Sequence, residues 1–148
     1  MTSPALAQTV PDLAAFFDVS LDMLCIRDSA FRFVRVNEAW TRILGHRVDA
    51  LEGASMLDFI HPDDVASSQG RMIGIGPDGE VDGFINRYRH ADGTFRSLEW
   101  RARRVGGFVF GVARDVTERL AAEAEMAAAR RVAEAANQAK SDFLANMS

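Results

Sequence analysis

Two long segments of alternating apolar and polar residues place the strongest constraint on the fold. They run from Val81 to His90 and from Thr94 to Val105, and Ala91-Asp92-Gly93 joins them. A period of two is typical of half-buried strands, and an Asp-Gly pair favours a tight turn between antiparallel strands. The pattern therefore predicts a β-hairpin that packs one face against the rest of the chain.

Shorter strands are predicted on both sides of this hairpin. The runs at 21–27 and 31–36 are rich in apolar, β-branched and aromatic residues, and Asp28-Ser29-Ala30 separates them. The run at 108–116 follows a Gly106-Gly107 turn. Such compositions, bounded by turn residues, favour short strands. The sequence thus predicts a first hairpin before the long one and a last strand after it.

Helices are predicted between these two groups of strands. Apolar residues recur at helical spacing from 39 to 44, with Asn37 placed as the cap and Gly45 as the stop. His61-Pro62-Asp63-Asp64 predicts the start of another helix, which runs toward Ile75, because a proline and two acids suit the free amides of a first turn. The alternative for the two acids, metal binding or acid–base catalysis, is disfavoured because adjacent residues rarely converge on one point.

A short amphipathic helix is predicted near the N-terminus. Leu13, Phe16 and Phe17 lie at helical spacing, with Thr9 available as a cap and Pro11 in the first turn. Phe16 and Phe17 are adjacent, so they cannot share one face of a helix. We expect one of them to cover the sheet and the other to contact a partner subunit.

The segment from Leu120 to Lys140 predicts one long helix. Alanine, glutamate and arginine dominate it, and it contains no glycine or proline. Its seam residues recur at alternating steps of four and three, which is typical of a coiled coil. These residues are Ala122, Met126, Ala129, Ala133, Ala136, Lys140, Phe143 and Met147. The seam predicts a parallel homodimer, and an isolated alanine-rich helix is the alternative.

Composition excludes several classes of protein. A chain of 148 residues with 48% hydrophobic composition supports one substantial core plus an appendage. The net charge of −4 gives no basic surface for nucleic acid. One cysteine, Cys25, excludes a disulfide framework and a multi-cysteine metal site. Because neither a signal peptide nor a membrane span is recognisable, we expect a cytoplasmic protein.

The order of these elements, together with four short motifs, resembles a PAS domain. The motifs are Asn37-Glu38-Ala39-Trp40, His61-Pro62-Asp63-Asp64, Asp92-Gly93-Thr94 and the segment from Gly111 to Arg119. The resemblance implies an α+β fold, in which a five-stranded antiparallel sheet carries helices on one face. It implies a PAS domain at 21–117, preceded by a tail and cap helix at 1–20 and followed by a signalling helix at 118–140.

The stretch from Asn137 to Ser148 resembles the entry to the dimerisation helix of a histidine kinase. The resemblance implies that 141–148 begins that helix, and that a phosphoacceptor histidine and an ATP-binding domain follow. No catalytic nucleophile, ATP site or metal cluster is recognisable in the chain itself. We therefore expect a regulatory module without catalysis of its own, working in a phosphorelay with a response regulator in simple or hybrid two-component signalling.

A candidate pocket lies between the predicted sheet and helices. Alternation places Phe84, Asn86, Tyr88, Leu98, Trp100 and Ala102 toward the helices, and Met56, Phe59, Ile60, Met72 and Ile75 close over them. We expect a filled core without a cofactor, and an unknown small ligand is the alternative. Asn86 would bond either ligand atoms or a backbone group, because a polar amide facing a core needs partners.

Two cofactors bound by some relatives of this kind, flavin and haem, are disfavoured. The light-sensing flavin branch carries its reactive cysteine at the position of residues 54–58, where this chain has none, and Cys25 lies on the first strand instead. That branch also carries amide side chains where we align Tyr88, Leu98 and Ala113. Haem would need an axial histidine. His46, His61 and His90 all lie outside the helix where haem-binding relatives place theirs.

The segment Asp115 to Arg119 resembles the junction between the last PAS strand and an output helix. Thr117 is predicted to cap that helix, and Glu118 suits its positive end. The Asp115 carboxylate can accept hydrogen bonds from backbone amides, or it can pair with an arginine such as Arg104 or Arg114. We expect these residues to couple the sheet to the helix, and a cap alone is the alternative.

Overall fold

The computed structural model describes residues 12–73, 75–77 and 79–147. The helices are α1 (Leu13–Val19), α2 (Ala39–Leu44), α3 (Val48–Leu51), α4 (Val65–Ile73) and α5 (Thr117–Asn146). The strands are β1 (Met23–Arg27), β2 (Phe33–Val36), β3 (Glu80–Arg89), β4 (Phe95–Val105) and β5 (Phe108–Asp115), and short 3-10 turns cover Met56–Asp58 and Pro62–Asp64. The chain forms two compact units, of which the first ends at Asp115 and the second begins at Val116.

The first unit is built on a sheet of five antiparallel strands in the order β2-β1-β5-β4-β3. The predicted long hairpin is β3 and β4. Inward side chains of the sheet, such as Leu98 and Trp100, form one buried cluster with Trp40, Leu44 and Leu51 from the helices. Burying this apolar surface is the main stabilising contribution to such a fold. The predicted α+β fold with a five-stranded sheet is confirmed.

Strand β3 contains a bulge that simple alternation does not predict. Its pairing with β4 shifts between Asp82 and Phe84, and Gly83 adopts a φ of +76°. Glycine takes this left-handed conformation without the steric penalty of a Cβ atom. The bulge changes the parity of the strand, so Val81 is buried although it lies an odd number of residues before Asn86, which is buried as well.

Asn37 braces three segments instead of capping α2. The N-cap position of α2 belongs to Glu38, so the prediction of an Asn37 cap is wrong. The Asn37 side chain accepts a hydrogen bond from the amide of Leu24 at 2.9 Å, and its Nδ2 donates to the carbonyls of Phe17 and Asp22 at 3.0 Å. Asn37 is fully buried, so it fixes the end of α1 and the start of β1. Gly45 ends α2 in the left-handed conformation, as predicted.

Helix α1 begins after Asp12, whose carboxylate accepts a hydrogen bond from the backbone amide of Ala14 at 2.9 Å. The predicted roles of Thr9 and Pro11 fall outside the described residues. Phe17 lines an apolar groove over the outer face of β1 and β5, whereas Phe16 is 73% exposed. Phe17 is therefore the residue that covers the sheet, and contact of Phe16 with a partner subunit stays a prediction.

The second unit is α5, a helix of 30 residues. Val116 occupies its N-cap position, so the prediction that Thr117 caps the helix is wrong, and Thr117 is instead its first residue. Glu118 lies in the first turn, where a carboxylate is favoured by the helix dipole. Among the described residues, no helix combines the length and the hydropathy needed to cross a membrane.

Candidate functional site

The structure brings the predicted pocket residues together on the inner face of β3 and β4. Their side chains pack against residues from the 3-10 turn at 56–58 and from α4. Asn86, Tyr88, Leu98, Trp100, Met56 and Met72 are buried, and Phe84 is half-buried against the same cluster. The alternating pattern therefore identified the correct face of the hairpin.

A chain of hydrogen bonds runs through this cluster from the sheet to α4. The indole Nε1 of Trp100 donates to Asn86 Oδ1 at 2.7 Å, and Asn86 Nδ2 donates to Ser68 Oγ at 3.0 Å. Ser68 Oγ then donates to the carbonyl oxygen of Asp64 at 2.7 Å. We call these four residues the polar chain. Both of these Asn86 bonds go to side chains and not to the predicted backbone group, and a bond from Asn86 to a ligand stays a prediction.

Ser68 is a member of the polar chain that the sequence analysis missed. It is fully buried on α4, four residues before the buried Met72. Residues four apart lie on one face of a helix. That spacing from Met72 is the signal that places Ser68 opposite Asn86.

Asp64 links the far end of the polar chain to β3 through a second set of bonds. Its carboxylate accepts three hydrogen bonds from Arg87: one from the backbone amide at 2.9 Å and two from the guanidinium at 2.9 and 2.7 Å. The hydrogen bonds from the Arg87 guanidinium hold the pKa of Asp64 below its usual range. Asp64 is therefore engaged in an ion pair with the sheet, which goes beyond the predicted helix-start role.

Tyr88 lies beside the polar chain without joining it. Its ring contacts those of Trp40 and Trp100, with centroids 5.8 and 5.6 Å away. Its hydroxyl is buried and has no hydrogen-bond partner among the described residues. Burial raises the pKa of Tyr88 well above its ordinary value, so the phenol stays neutral.

Replacing Tyr88 with phenylalanine is expected to leave stability unchanged or to raise it by up to about 1 kcal/mol, because the change removes a buried hydroxyl that makes no bond. Urea unfolding followed by tryptophan fluorescence measures the difference, since the chain's two tryptophans, Trp40 and Trp100, both lie in the buried cluster. A loss above 1 kcal/mol would show that the hydroxyl has a partner in solution, such as water or a ligand.

Cys25 has the character of a packing residue. It is buried on β1, and burial raises the pKa of its thiol to about 12. A Cβ atom at Gly111 would lie 3.2 Å from Cys25 Sγ and 3.1 Å from the Trp100 ring. The glycine in β5 is thus explained by the space that these two side chains fill.

Two of the three histidines take part in local turn contacts, and the third contacts the backbone of β3. His61 Nδ1 accepts a hydrogen bond from the backbone amide of Asp63 at 3.1 Å, and His90 Nδ1 accepts one from the amide of Asp92 at 3.0 Å. His46 Nε2 lies 2.7 Å from the carbonyl oxygen of Arg89. Within the part of the chain that the structure describes, no group of three or more His, Cys, Asp or Glu side chains could hold a metal ion.

The last strand ends in an ion pair with its neighbour. Asp115 Oδ2 accepts a hydrogen bond from Arg96 Nε at 2.7 Å, and both side chains are largely buried. The arginines suggested for this role have other partners: Arg104 bonds the carbonyl of Ile75, and Arg114 pairs with Asp22. The identity of the partner arginine was therefore predicted wrongly, although an Asp115–arginine pair was correct.

Solved structures that share this fold include three PAS domains. The PAS domain of an HTR-like protein from Haloarcula marismortui is 25% identical, with a TM-score of 0.63 over 70% of this chain and 93% of that one. A PAS domain from Colwellia psychrerythraea is 20% identical, with a TM-score of 0.66 over 77% and 98%. A PAS domain from a two-component sensor histidine kinase is 16% identical, with a TM-score of 0.58 over 70% and 92%.

The family model described as PAS fold matches residues 33–107, which extend from the start of β2 to the end of β4 and the turn that follows it. None of the curated proteins matches this sequence. The matched segment covers half of the chain and contains the polar chain and the long hairpin, so the protein belongs to the PAS family.

Proposed function

We propose that this PAS domain is a sensory and dimerisation module that controls the autophosphorylation of a histidine kinase through a parallel coiled coil. The observation that carries the proposal is α5, which extends for 30 residues and contains the residues of the predicted coiled-coil seam. Its last turns contain the stretch that resembles the entry to a kinase dimerisation helix. The proposal places the module in the cytoplasm as a homodimer, with a response regulator as the downstream partner.

The seam of α5 supports dimerisation because its large apolar side chains are exposed in a single copy. Met126, Phe143 and Met147 are each more than 60% exposed. A second α5 packed in parallel would cover them, and the small alanines between them would allow close approach. A weak, alanine-rich seam suits signalling, because two arrangements of similar energy can be biased by small changes elsewhere.

The first unit supports the proposal through the anchored end of β5. Asp115 is the last residue of that strand, and its bond to Arg96 ties it to β4. Only Val116 separates it from the first residue of α5. In the proposal, a conformational change in the sheet is therefore transmitted along the backbone to Thr117 and Glu118.

The interior around Asn86 is proposed to work as a packed core without a cofactor. The polar chain supplies protein partners for Asn86, Ser68 and Trp100. A ligand that bonded Asn86 would have to replace those bonds, which costs free energy for each group left unpaired. The polar chain therefore favours control of dimer geometry over flavin, haem or a metabolite at Asn86.

A seam substitution in a kinase fusion tests the proposal. The chain is joined in heptad phase to the dimerisation and ATP-binding domains of a histidine kinase, and Ala129→Glu is compared with Ala128→Glu. Ala129 lies on the seam and Ala128 beside it, so helix propensity changes equally. We expect Ala129→Glu to weaken dimerisation at least tenfold, because covering two carboxylates costs more than about 1.4 kcal/mol.

Sedimentation velocity of the chain and ATP-dependent phosphorylation of the fusion are the two measurements. Ala129→Glu should lower dimer content and change phosphorylation, whereas Ala128→Glu should behave like the parent. Equal effects of the two variants would contradict the seam. A lost dimer with unchanged phosphorylation would support dimerisation and reject control of the kinase.

A further inference from the structure

Two arginines flank one valine on the helix-facing side of the sheet. Val109 in β5 pairs with Arg27 in β1 on one side and with Arg104 in β4 on the other. Arg27 follows the inward residues Met23 and Cys25 at a spacing of two. Neighbouring strands lie about 4.8 Å apart, so the two arginine backbones are roughly 10 Å from each other. The register therefore brings two guanidinium groups to one end of the inner face.

Arg27 is buried without a carboxylate partner in the described part of the chain. It is 4% exposed, although a guanidinium carries five N–H donors. One of these donates to the carbonyl of Asp28 at 2.9 Å, and the Phe31 ring lies 4.7 Å from the guanidinium carbon. The Asp28 carboxylate itself bonds the amides of Ala30 and Arg32. A buried charge without a counterion is costly, so an anion beside it would be stabilised.

A cavity of about 190 Å³ opens between these arginines, and we call it the arginine cavity. Its lining includes Arg27, Arg104, Ser29, Phe31, Met72 and Ile73, and none of the described residues that line it is acidic. Arg104 donates to the carbonyl of Ile75 at 3.2 Å. Arg27 itself lines the cavity, and its Nη1 group donates to the Asp28 carbonyl. A guanidinium has five N–H donors, so Arg27 has further donors for a ligand bound there.

The backbone beside the arginine cavity is strained. Phe31 has a φ of +63°, and among the described residues it is the only one other than glycine with a positive φ. A bulky residue in this region costs of order 1 to 3 kcal/mol and is held there by its surroundings. In this conformation the Phe31 ring lies over the Arg27 guanidinium and forms an apolar wall next to the charge.

We propose that the arginine cavity binds a small organic carboxylate. The carboxylate group would lie between Arg27 and Arg104, which suit it because guanidinium N–H groups bond both of its oxygens. A short apolar group would contact Phe31 and Met72. The volume is below the roughly 300 to 1,000 Å³ of pockets for drug-sized ligands, so an acid of a few carbons fits.

Isothermal titration calorimetry of the chain tests this with butyrate, butyramide and inorganic phosphate. Butyrate is expected to bind, whereas butyramide, which has the same shape without the charge, is not. Phosphate should bind more weakly than butyrate, because it leaves the apolar wall uncovered. If butyrate at concentrations up to roughly tens of millimolar gives no binding heat, the proposal is overturned. Equal binding of phosphate and butyrate would overturn the carboxylate assignment.

Three variants locate the site. Arg104→Met and Arg27→Met are each expected to weaken butyrate binding by at least about tenfold, the effect of losing a charged hydrogen-bond partner. Arg103→Met is the control, because Arg103 is the next residue in β4 and its side chain is 64% exposed beside Glu80. Unchanged affinity in Arg104→Met would overturn the proposal even if Arg27→Met failed to fold. Binding is measured without a kinase, so it stands or falls separately from the proposed function.

Discussion

Replacing Asn86 with leucine is expected to lower the free energy of unfolding by about 2 to 4 kcal/mol. The substitution keeps the number and branching of the side-chain heavy atoms but removes the two hydrogen bonds at the centre of the polar chain. It leaves the buried indole N–H of Trp100 without an acceptor, and an unsatisfied buried donor costs more than the bond itself contributed. Urea unfolding followed by tryptophan fluorescence, at one fixed protein concentration, gives the value.

A double-mutant cycle with Trp100→Phe separates the bond from the loss of packing. Phenylalanine removes the indole donor, so Asn86→Leu should cost less in the Trp100→Phe background than in the parent. The fluorescence of Trp40, which lies in the same cluster, still reports unfolding. If the two costs simply add, the Trp100–Asn86 bond contributes nothing, and the account of the polar chain fails.

The sequence allowed the strands, the helices and the face of the pocket to be predicted from periodicity, whereas the five-stranded fold was implied by the resemblance to PAS domains. Alternation along 81–90 and 94–105 put Asn86 and Trp100 on the buried side. Their bond depends on pairing, which sets Trp100 beside Phe84 and Leu98 beside Asn86. Local alternation does not give this pairing, which is seen only in the folded hairpin, and the bulge at Gly83 then shifts the register of 80–82.

Partners of charged residues were harder to predict, because long-range pairs depend on register and not on local pattern. Arg96 reaches Asp115 because β4 and β5 pair Leu98 with Asp115. Arg104, which was considered for this role, lies eight residues along the same strand at its other end. Arg27 was read as a strand residue only, since alternation gives its direction but not the cavity beside it.

Replacing Asn37 with alanine is expected to lower the free energy of unfolding by about 2 to 4 kcal/mol, because three hydrogen bonds of a buried side chain are lost together. The amide of Leu24 and the carbonyls of Phe17 and Asp22 are left without these partners. The bonds to Phe17 and Asp22 hold the end of α1, so this helix should lose its order before the sheet does. Hydrogen–deuterium exchange should therefore rise first in 13–24.

Two further variants decide between bracing and capping at Asn37. Serine is as good a helix cap as asparagine, so Asn37→Ser would cost a few tenths of a kcal/mol under a capping role. Serine lacks the second donor and the reach to Phe17 and Asp22, so bracing predicts a loss close to that of alanine.

Glu38→Ala is the control, because Glu38 occupies the N-cap position with no side-chain cap bond and is exposed. Its cost should stay within about 0.5 kcal/mol, as for ordinary surface positions. If Asn37→Ser is as stable as the parent and hydrogen–deuterium exchange in 13–24 is unchanged, Asn37 acts as a helix cap. Other contacts would then hold α1 in place.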